Sequence, residues 1–349
     1  MKQALIIGGV EIAPGTRRHV DLALPPLYTH STMSMPVHVI NGRRDGPRLF
    51  VSAGIHGDEI NGVEIIRRLL STKALSRMHG ALIAVPVVNV YGFVSRSRYL
   101  PDRRDLNRFF PGSETGSMAS RLAELFTREV VDPCTHGIDL HTAAIGRDNL
   151  PQIRAALDAH PDTEAMACAF GAPVVIDSSL REGSLRASMA DLGKPVLLYE
   201  AGEALRFDEV SIRAGVKGIL RVMRAIGMLP KQSSKRRGHA PLISKDSVWM
   251  RAPQSGVLRA QVPLGAQVDV GDTLGVVADT LGESEAMVAS EVAGIVIGKT
   301  NLPLVHEGEA VFHVACFRSP DSAAQAVEAF QEEHQPLDGE GEINEPPLV

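Results

Sequence analysis

Four residues in this chain have side chains and spacings that suit hydrolytic metal chemistry. His56 and Glu59 stand three apart in GIHGDEING (54–62), His141 follows in GIDLHTA, and Glu200 lies in LYEAGE. Imidazole nitrogen and carboxylate oxygen are ligands of zinc, and a catalytic zinc takes three protein ligands and keeps a fourth position for water. H-x-x-E in a tight loop can aim both groups at one point, and Gly54 and Gly57 permit the turn. His141 would bring the third ligand from a remote strand. Asp139, two residues earlier, is alternatively a partner that holds a ligand histidine. Glu200 directly follows an apolar run and is placed to act as general base and then acid. Glu203 competes for that role three residues on.

Each of these residues also has a plainer reading. Asp58 suits the N-cap of a following helix, with the acids favoured at its positive end. His141 alone reads as a satisfied core histidine, and Glu200 as a strand-end surface carboxylate. The metal reading rests on all of them falling at the ends of apolar strands.

A second cluster is the arginine-rich segment YGFVSRSRYLPDRRDLNRFFPG (91–112), with Arg96, Arg98, Arg103, Arg104 and Arg108. Guanidinium groups match carboxylates in a planar fork, and one near a metal can stabilise an oxyanion. Arg103 and Arg104 read as solvated surface. Asn107-Arg108, fixed between Leu106 and Phe109-Phe110, reads as an anchored pair aimed at a substrate carboxylate.

These groups need a scaffold, and the hydrophobic pattern supplies one. Short β-like runs fill the first forty residues (QALIIGGVEI, RHVDLAL, MPVHVI). RLFVSAGI, ALIAVPVVNV, GIDLHTA, PVVIDSS and KPVLLYEAGE then read as strands. Between them, EINGVEIIRRLLST, SMASRLAELFTREVVDP, TEAMACAFG and GSLRASMADLG read as helices, and another runs from about Ser211 to Ile226. In the first, Ile60, Val63, Ile66, Leu69 and Leu70 have helical spacing. Alternating strands and helices predict an α/β sandwich, whose ligands gather at the carboxyl ends of its strands.

Residues 229–241 (LPKQSSKRRGHAP) read as a linker, dividing residues 1–228 from a β-rich segment, 242–318, with Gly and Pro turns. Residues 319–349 hold a final helix and an acidic tail of disordered composition. Within 242–318, APQSGVLRAQVPLGAQVDVGDTLGVV and SEVAGIVIG…HEGEAVFHV form two half-motifs similar to a biotinyl/lipoyl-type barrel-sandwich. The hairpin between them, ADTLGESEAM, lacks the lysine a carrier requires, so no cofactor attachment is expected. Shielding of the active site or homo-oligomer formation is the expected role.

Composition narrows the function classes. In 349 residues, 44% hydrophobic and 22% charged side chains give ample core material. A net charge of −5 gives no global reason to expect nucleic acid, and an aromatic content of 4% argues against base-stacking platforms. Cys134, Cys168 and Cys316 are scattered and odd in number, which argues against a disulfide framework or a thiolate zinc site. No apolar run has the length of a membrane span or a secretory signal, so a cytoplasmic protein is expected.

HGDE, DLNRFFPG, DLHT and a strand-end glutamate, in this order, resemble the succinylglutamate desuccinylase/aspartoacylase family of zinc carboxypeptidase-like deacylases. The resemblance covers roughly residues 45–228, and the C-terminal β segment also suits the family. It implies a zinc-carboxypeptidase-like mixed sheet flanked by helices, with one zinc per chain held by His56, Glu59 and His141. It implies Asn107 and Arg108 on the substrate carboxylate and Glu200 as the base that activates water. An arginine upstream of the Asn-Arg pair polarises the scissile carbonyl; Arg98 is the candidate, with Arg96 and Arg103 as alternatives. The reaction implied is hydrolysis of the amide bond of an N-acyl amino acid. Some members use a tyrosine from the C-terminal domain. Here the tyrosines are Tyr28, Tyr91, Tyr99 and Tyr199, which counts against N-acetylaspartate and succinylglutamate as substrates. Acetylated diaminobutyrate is among the other substrates of the family's broader branch. The competing readings are a zinc carboxypeptidase acting on peptides and a non-catalytic binding protein on the same fold. Cobalt or manganese also suits the ligand set.

Overall fold

The computed structural model describes residues 2–231, 242–317 and 320–335. Its centre is four parallel strands, side by side in the order Val196–Glu203, His136–Ala143, Arg44–Ala53 and His79–Val85. Three of them are almost entirely buried, and Arg44–Ala53 is buried over its second half, Leu49–Ala53, as a parallel sheet covered on both faces requires. Helices Asn61–Leu70, Pro161–Phe170 and Glu209–Ala225 cover one face, sharing a core with Phe170, Tyr199 and Met223. Helices Met118–Phe126 and Leu185–Asp191 cover the other, packing Phe126 and Met189 towards Phe50 and Val37. The sheet is mixed overall, because Ser34–Asn41 joins it antiparallel to His79–Val85, and Thr16–Ala23 joins Ser34–Asn41 antiparallel beyond it.

The helix after the HGDE loop sits unusually close to the sheet. A Cβ at Gly62 would stand 2.6 Å from Ala53 Cβ and 2.8 Å from Leu140 Cβ, and both neighbours are buried. Gly62→Ala is therefore expected to lose about 1–3 kcal/mol of stability by overpacking, read as a lower urea midpoint at unchanged m-value. An unchanged midpoint would mean that the helix can lift without cost.

One strand has no clear sequence signal. Arg147–Ala155 (RDNLPQIRA) lies antiparallel to Val196–Glu203 in the interior of the sheet, despite its polar residues and Pro151. Pairing on its other side explains the proline. Arg147–Asn149 pair with Gly298–Thr300, whereas Gln152–Ala155 pair with Val174–Asp177. Pro151, which has no N–H to donate, falls at the change of partner.

That change of partner also carries the sheet into the C-terminal segment. Gly294–Thr300, Ala310–Cys316 and Asp246–Arg251 continue it, and among the described residues the sheet has 13 strands. Leu242–Ser244 adds parallel to Val174–Asp177. A second, four-stranded sheet packs over the C-terminal strands around Met250, Leu258, Val277, Val296 and Phe312, giving a sandwich. The turn after Ala278 is held by Asp279, which accepts backbone N–H bonds from Leu281, Gly282, Glu283 and Ser284; it has no lysine. Helix Pro320–His334 returns to the Glu209–Ala225 helix, with an Arg221–Glu333 ion pair at 2.7 Å. Most of the expected linker, residues 232–241, and the acidic tail from residue 336 lie outside the described residues. Among the described residues no helix is long and apolar enough to cross a membrane.

Candidate active site

The loop after Ala53 carries His56 and Glu59 at the carboxyl end of the central strand. Gly57 presses against the backbone of Gly92, where a Cβ would meet a carbonyl carbon at 2.0 Å, so the turn admits no side chain. Asp58 does not cap the following helix. Ile60 holds the N-cap position without a side-chain bond, while the Asp58 backbone carbonyl accepts from Leu205 N–H. Asp58 Oδ1 is buried with no partner among the described residues, and burial pushes its carboxyl above the ordinary value.

His56, Glu59 and His141 are brought together and almost completely buried. His56 Nδ1 lies 2.7 Å from one Glu59 oxygen and His141 Nδ1 lies 2.6 Å from the other, with the ring centroids 4.9 Å apart. Each ring's far nitrogen faces a second carboxylate: His56 Nε2 is 3.1 Å from Asp105 Oδ1, and His141 Nε2 is 2.8 Å from Asp139 Oδ2. Asp139 is itself held by Ser52 Oγ, which donates at 2.7 Å. A carboxylate behind each imidazole fixes the ring and directs the near nitrogen inwards, the arrangement that supports metal-ligating histidines.

The electrostatics match this geometry. Burial alone would push both imidazoles down, but Glu59 with Asp105, and Asp139 with Glu59, outweigh it and hold His56 and His141 above their ordinary value. Burial alone would push Glu59 up, yet the two imidazoles hold it far below the usual carboxylate range. A compact group of two imidazoles and one carboxylate, with candidate ligand atoms all within 4.8 Å of one another, fits a divalent ion that prefers nitrogen and oxygen donors.

The arginines separate as their surroundings dictate. Arg96, Arg103 and Arg104 are exposed. Arg98 turns inwards, donating from Nη1 to Glu59 at 3.1 Å and from Nη2 to Asp105 at 3.1 Å. Asn107 Oδ1 accepts the Leu185 N–H at 2.9 Å, which pins the loop to the start of the Leu185–Asp191 helix. Arg108 stands 3.7 Å from Asp105. Burial pushes its guanidinium down, Arg181 and Arg98 add to this, and Asp105 opposes them. Arg108 and Arg98 thus both flank Asp105, and a guanidinium is a group that can bind a carboxylate.

Glu200 lies beside His141 in parallel register, which puts the two side chains on the same face of the sheet. Its Oε2 accepts from Asn149 Nδ2 at 2.8 Å and has Arg154 Nε at 3.4 Å. Glu203 is used otherwise: it accepts from Gly146 N–H at 2.9 Å and Asn301 Nδ2 at 3.0 Å, tying two turns together. Sequence reasoning did not single out Asp105, Asn149 or Arg154. Asp105, in the DLNR segment, was visible as an acid next to an anchored pair. Asn149 and Arg154 lie on the strand whose polar composition hid it. Two open grooves of about 760 and 690 Å³, lined by Arg17 and Arg77, touch none of His56, Glu59 and His141.

A carboxypeptidase-like sheet with a buried His-Glu-His group at its strand ends defines a class of hydrolase scaffold. Residues 45–226, over half the sequence, match the succinylglutamate desuccinylase/aspartoacylase catalytic domain, and the chain belongs to that family. It is similar to the N-alpha-acetyl-L-2,4-diaminobutyric acid deacetylase of Halomonas elongata, with 26% identity over 314 residues, covering 85% of this chain and 91% of that one. Among solved structures it is similar to the product-bound ectoine utilization protein EutE (DoeB) of Ruegeria pomeroyi, at 26% identity and a TM-score of 0.77, with 86% of this chain and 95% of that one covered. A succinylglutamate desuccinylase/aspartoacylase of Rhodobacter sphaeroides gives the same identity and TM-score over 87% and 96%.

Proposed function

We propose that the protein is a zinc-dependent deacylase that hydrolyses the amide bond of a small N-acyl amino acid. The observation that carries this reading is the pair of imidazole Nδ1 atoms meeting at Glu59, with Asp105 and Asp139 behind them and Glu200 alongside. Family membership and the deacetylase relative support the substrate class.

His56, Glu59 and His141 would hold the ion, one per chain. Bound there, a divalent ion supplies Lewis-acid polarisation of water and of the scissile carbonyl. Glu200 takes a proton from the attacking water and delivers it to the amide nitrogen. The C–N bond then breaks, giving a free amine and a carboxylic acid. Arg98, adjoining the ligand set, stabilises the negative charge that develops on the carbonyl oxygen. Arg108, with Asn107, orients the substrate carboxylate, and Arg181 adds positive field. The reaction is assigned to the cytoplasm, in keeping with three unpaired cysteines.

Arg108→Ala is expected to raise KM about tenfold or more, with kcat changed only a few-fold, the mark of a lost binding contact. An unchanged KM would take Arg108 out of substrate binding. Release of free amine from a panel of N-acetyl and other N-acyl amino acids, set beside a C-terminal dipeptide, tests the reaction class. Turnover of the acyl amino acids alone is expected. Preference for the dipeptide would make the protein a carboxypeptidase, and turnover of neither would support a binding protein.

A further inference from the structure

The described C-terminal strands do more than continue the sheet. A row of directly paired residues leads from them to the active site. Trp249 pairs with His313, His313 with Gly298, and Gly298 with Asn149. Asn149 ends the row by donating Nδ2 to Glu200 Oε2 at 2.8 Å. Asn149 and His313 are both buried.

Gly298 is the tight point of this row. A Cβ there would stand 2.9 Å from Asn149 Oδ1 and 3.3 Å from His313 Cβ. The missing side chain leaves room for the asparagine amide, whose donor end faces Glu200 and whose oxygen lies next to Gly298. Beyond it, the His313 ring is backed by Trp249, stacked at 4.3 Å and 9°, and Arg147 covers the same indole at 5.3 Å. This stack flanks Gly298 on the side opposite Asn149. His313 is also kept neutral, because burial and then Arg154 push its imidazole down to about 3. The second group near the Glu200 oxygen, Arg154 Nε, forms an ion pair at 3.4 Å and has no hydrogen-bond partner among the described residues. Among the described residues, Asn149 is thus the side chain that hydrogen-bonds the Glu200 carboxylate and fixes its direction.

We propose that Asn149 is a positioning residue for Glu200, and that Gly298 and His313 make the C-terminal β region part of the active site by holding Asn149 in place. The proposal rests on the reading of Glu200 as the proton-transferring group. Mispositioning that carboxylate should lower kcat and leave substrate binding and the ligand set alone. Asn149→Asp removes the donor and sets a like charge against Glu200, so it should be more damaging than Asn149→Ala.

The test is a kinetic double-mutant cycle with the full-length, metal-loaded protein. Asn149→Ala is expected to lower kcat about ten- to a hundredfold, the range for a hydrogen bond to a charged group, with KM and zinc content within twofold of the parent. In a Glu200→Gln background the same change should cost less than about twofold, because the group being positioned is already lost. Gly298→Ala, with every polar group intact, should lower kcat by itself and add little to Asn149→Ala. Equal losses of kcat from Asn149→Ala in both backgrounds would overturn the proposal, as would full activity in both Asn149→Ala and Gly298→Ala. Full activity of Glu200→Gln alone would instead remove the underlying reading of Glu200. A melting temperature lowered in Asn149→Ala but not in Gly298→Ala, with kcat normal in Gly298→Ala, would make Asn149 merely structural.

Discussion

Glu200→Gln is expected to keep its metal and its KM while kcat falls by about 10²–10⁴, the usual contribution of a positioned acid–base group. The substitution is nearly isosteric, and the glutamine carbonyl can still accept from Asn149 Nδ2, so the fold and ligand set should persist. What disappears is a carboxylate able to take a proton from water and return it to nitrogen. Glu203 cannot replace it, because its two oxygens are committed to Gly146 and Asn301. Steady-state kinetics beside zinc content would check this. Full turnover with zinc bound would exclude Glu200 from proton transfer.

Loss of a ligand should act earlier in the chain of cause. His141→Ala leaves Glu59 with a single imidazole and Asp139 with Ser52 but no histidine partner, so the protein should emerge from dialysis with little zinc and no measurable turnover. Its loss of metal affinity should exceed the ~10–100-fold expected when an outer partner such as Asp105 is changed to alanine. Comparing the two variants by competition with a chromogenic chelator separates a ligand from its support. Equal affinities in His141→Ala and the parent would mean that the ion sits elsewhere.

The readable parts of the site share one physical cause. His56, His141 and Glu200 each end or directly follow an apolar run, and a buried parallel strand announces itself by such a run. In the helix after the HGDE loop, Ile66 and Leu69 are buried as the spacing requires, whereas Ile60, Val63 and Leu70 are only partly buried. Arg98 differed from Arg96 and Arg103 in no local signal; its inward turn depends on Asp105 and Glu59, which only the folded loop brings near it. Arg147–Ala155 was obscured because its side chains serve neighbours instead of a uniform core: Asn149 binds Glu200, and Pro151 marks a change of partner. The continuity of the sheet into the C-terminal strands was equally hidden, since the Gly298–Asn149 pairing is non-local and glycine carries no hydrophobic pattern. These non-local contacts are also the ones that hold the candidate base in place.

The most direct test is the metal content of the purified protein, with amine release from N-acyl amino acids followed before chelation, after it, and on reconstitution. About one zinc per chain is expected, with turnover abolished by chelator and restored by added zinc. A protein that binds no zinc on reconstitution and shows no turnover would contradict the assignment of His56, Glu59 and His141 as a catalytic metal site.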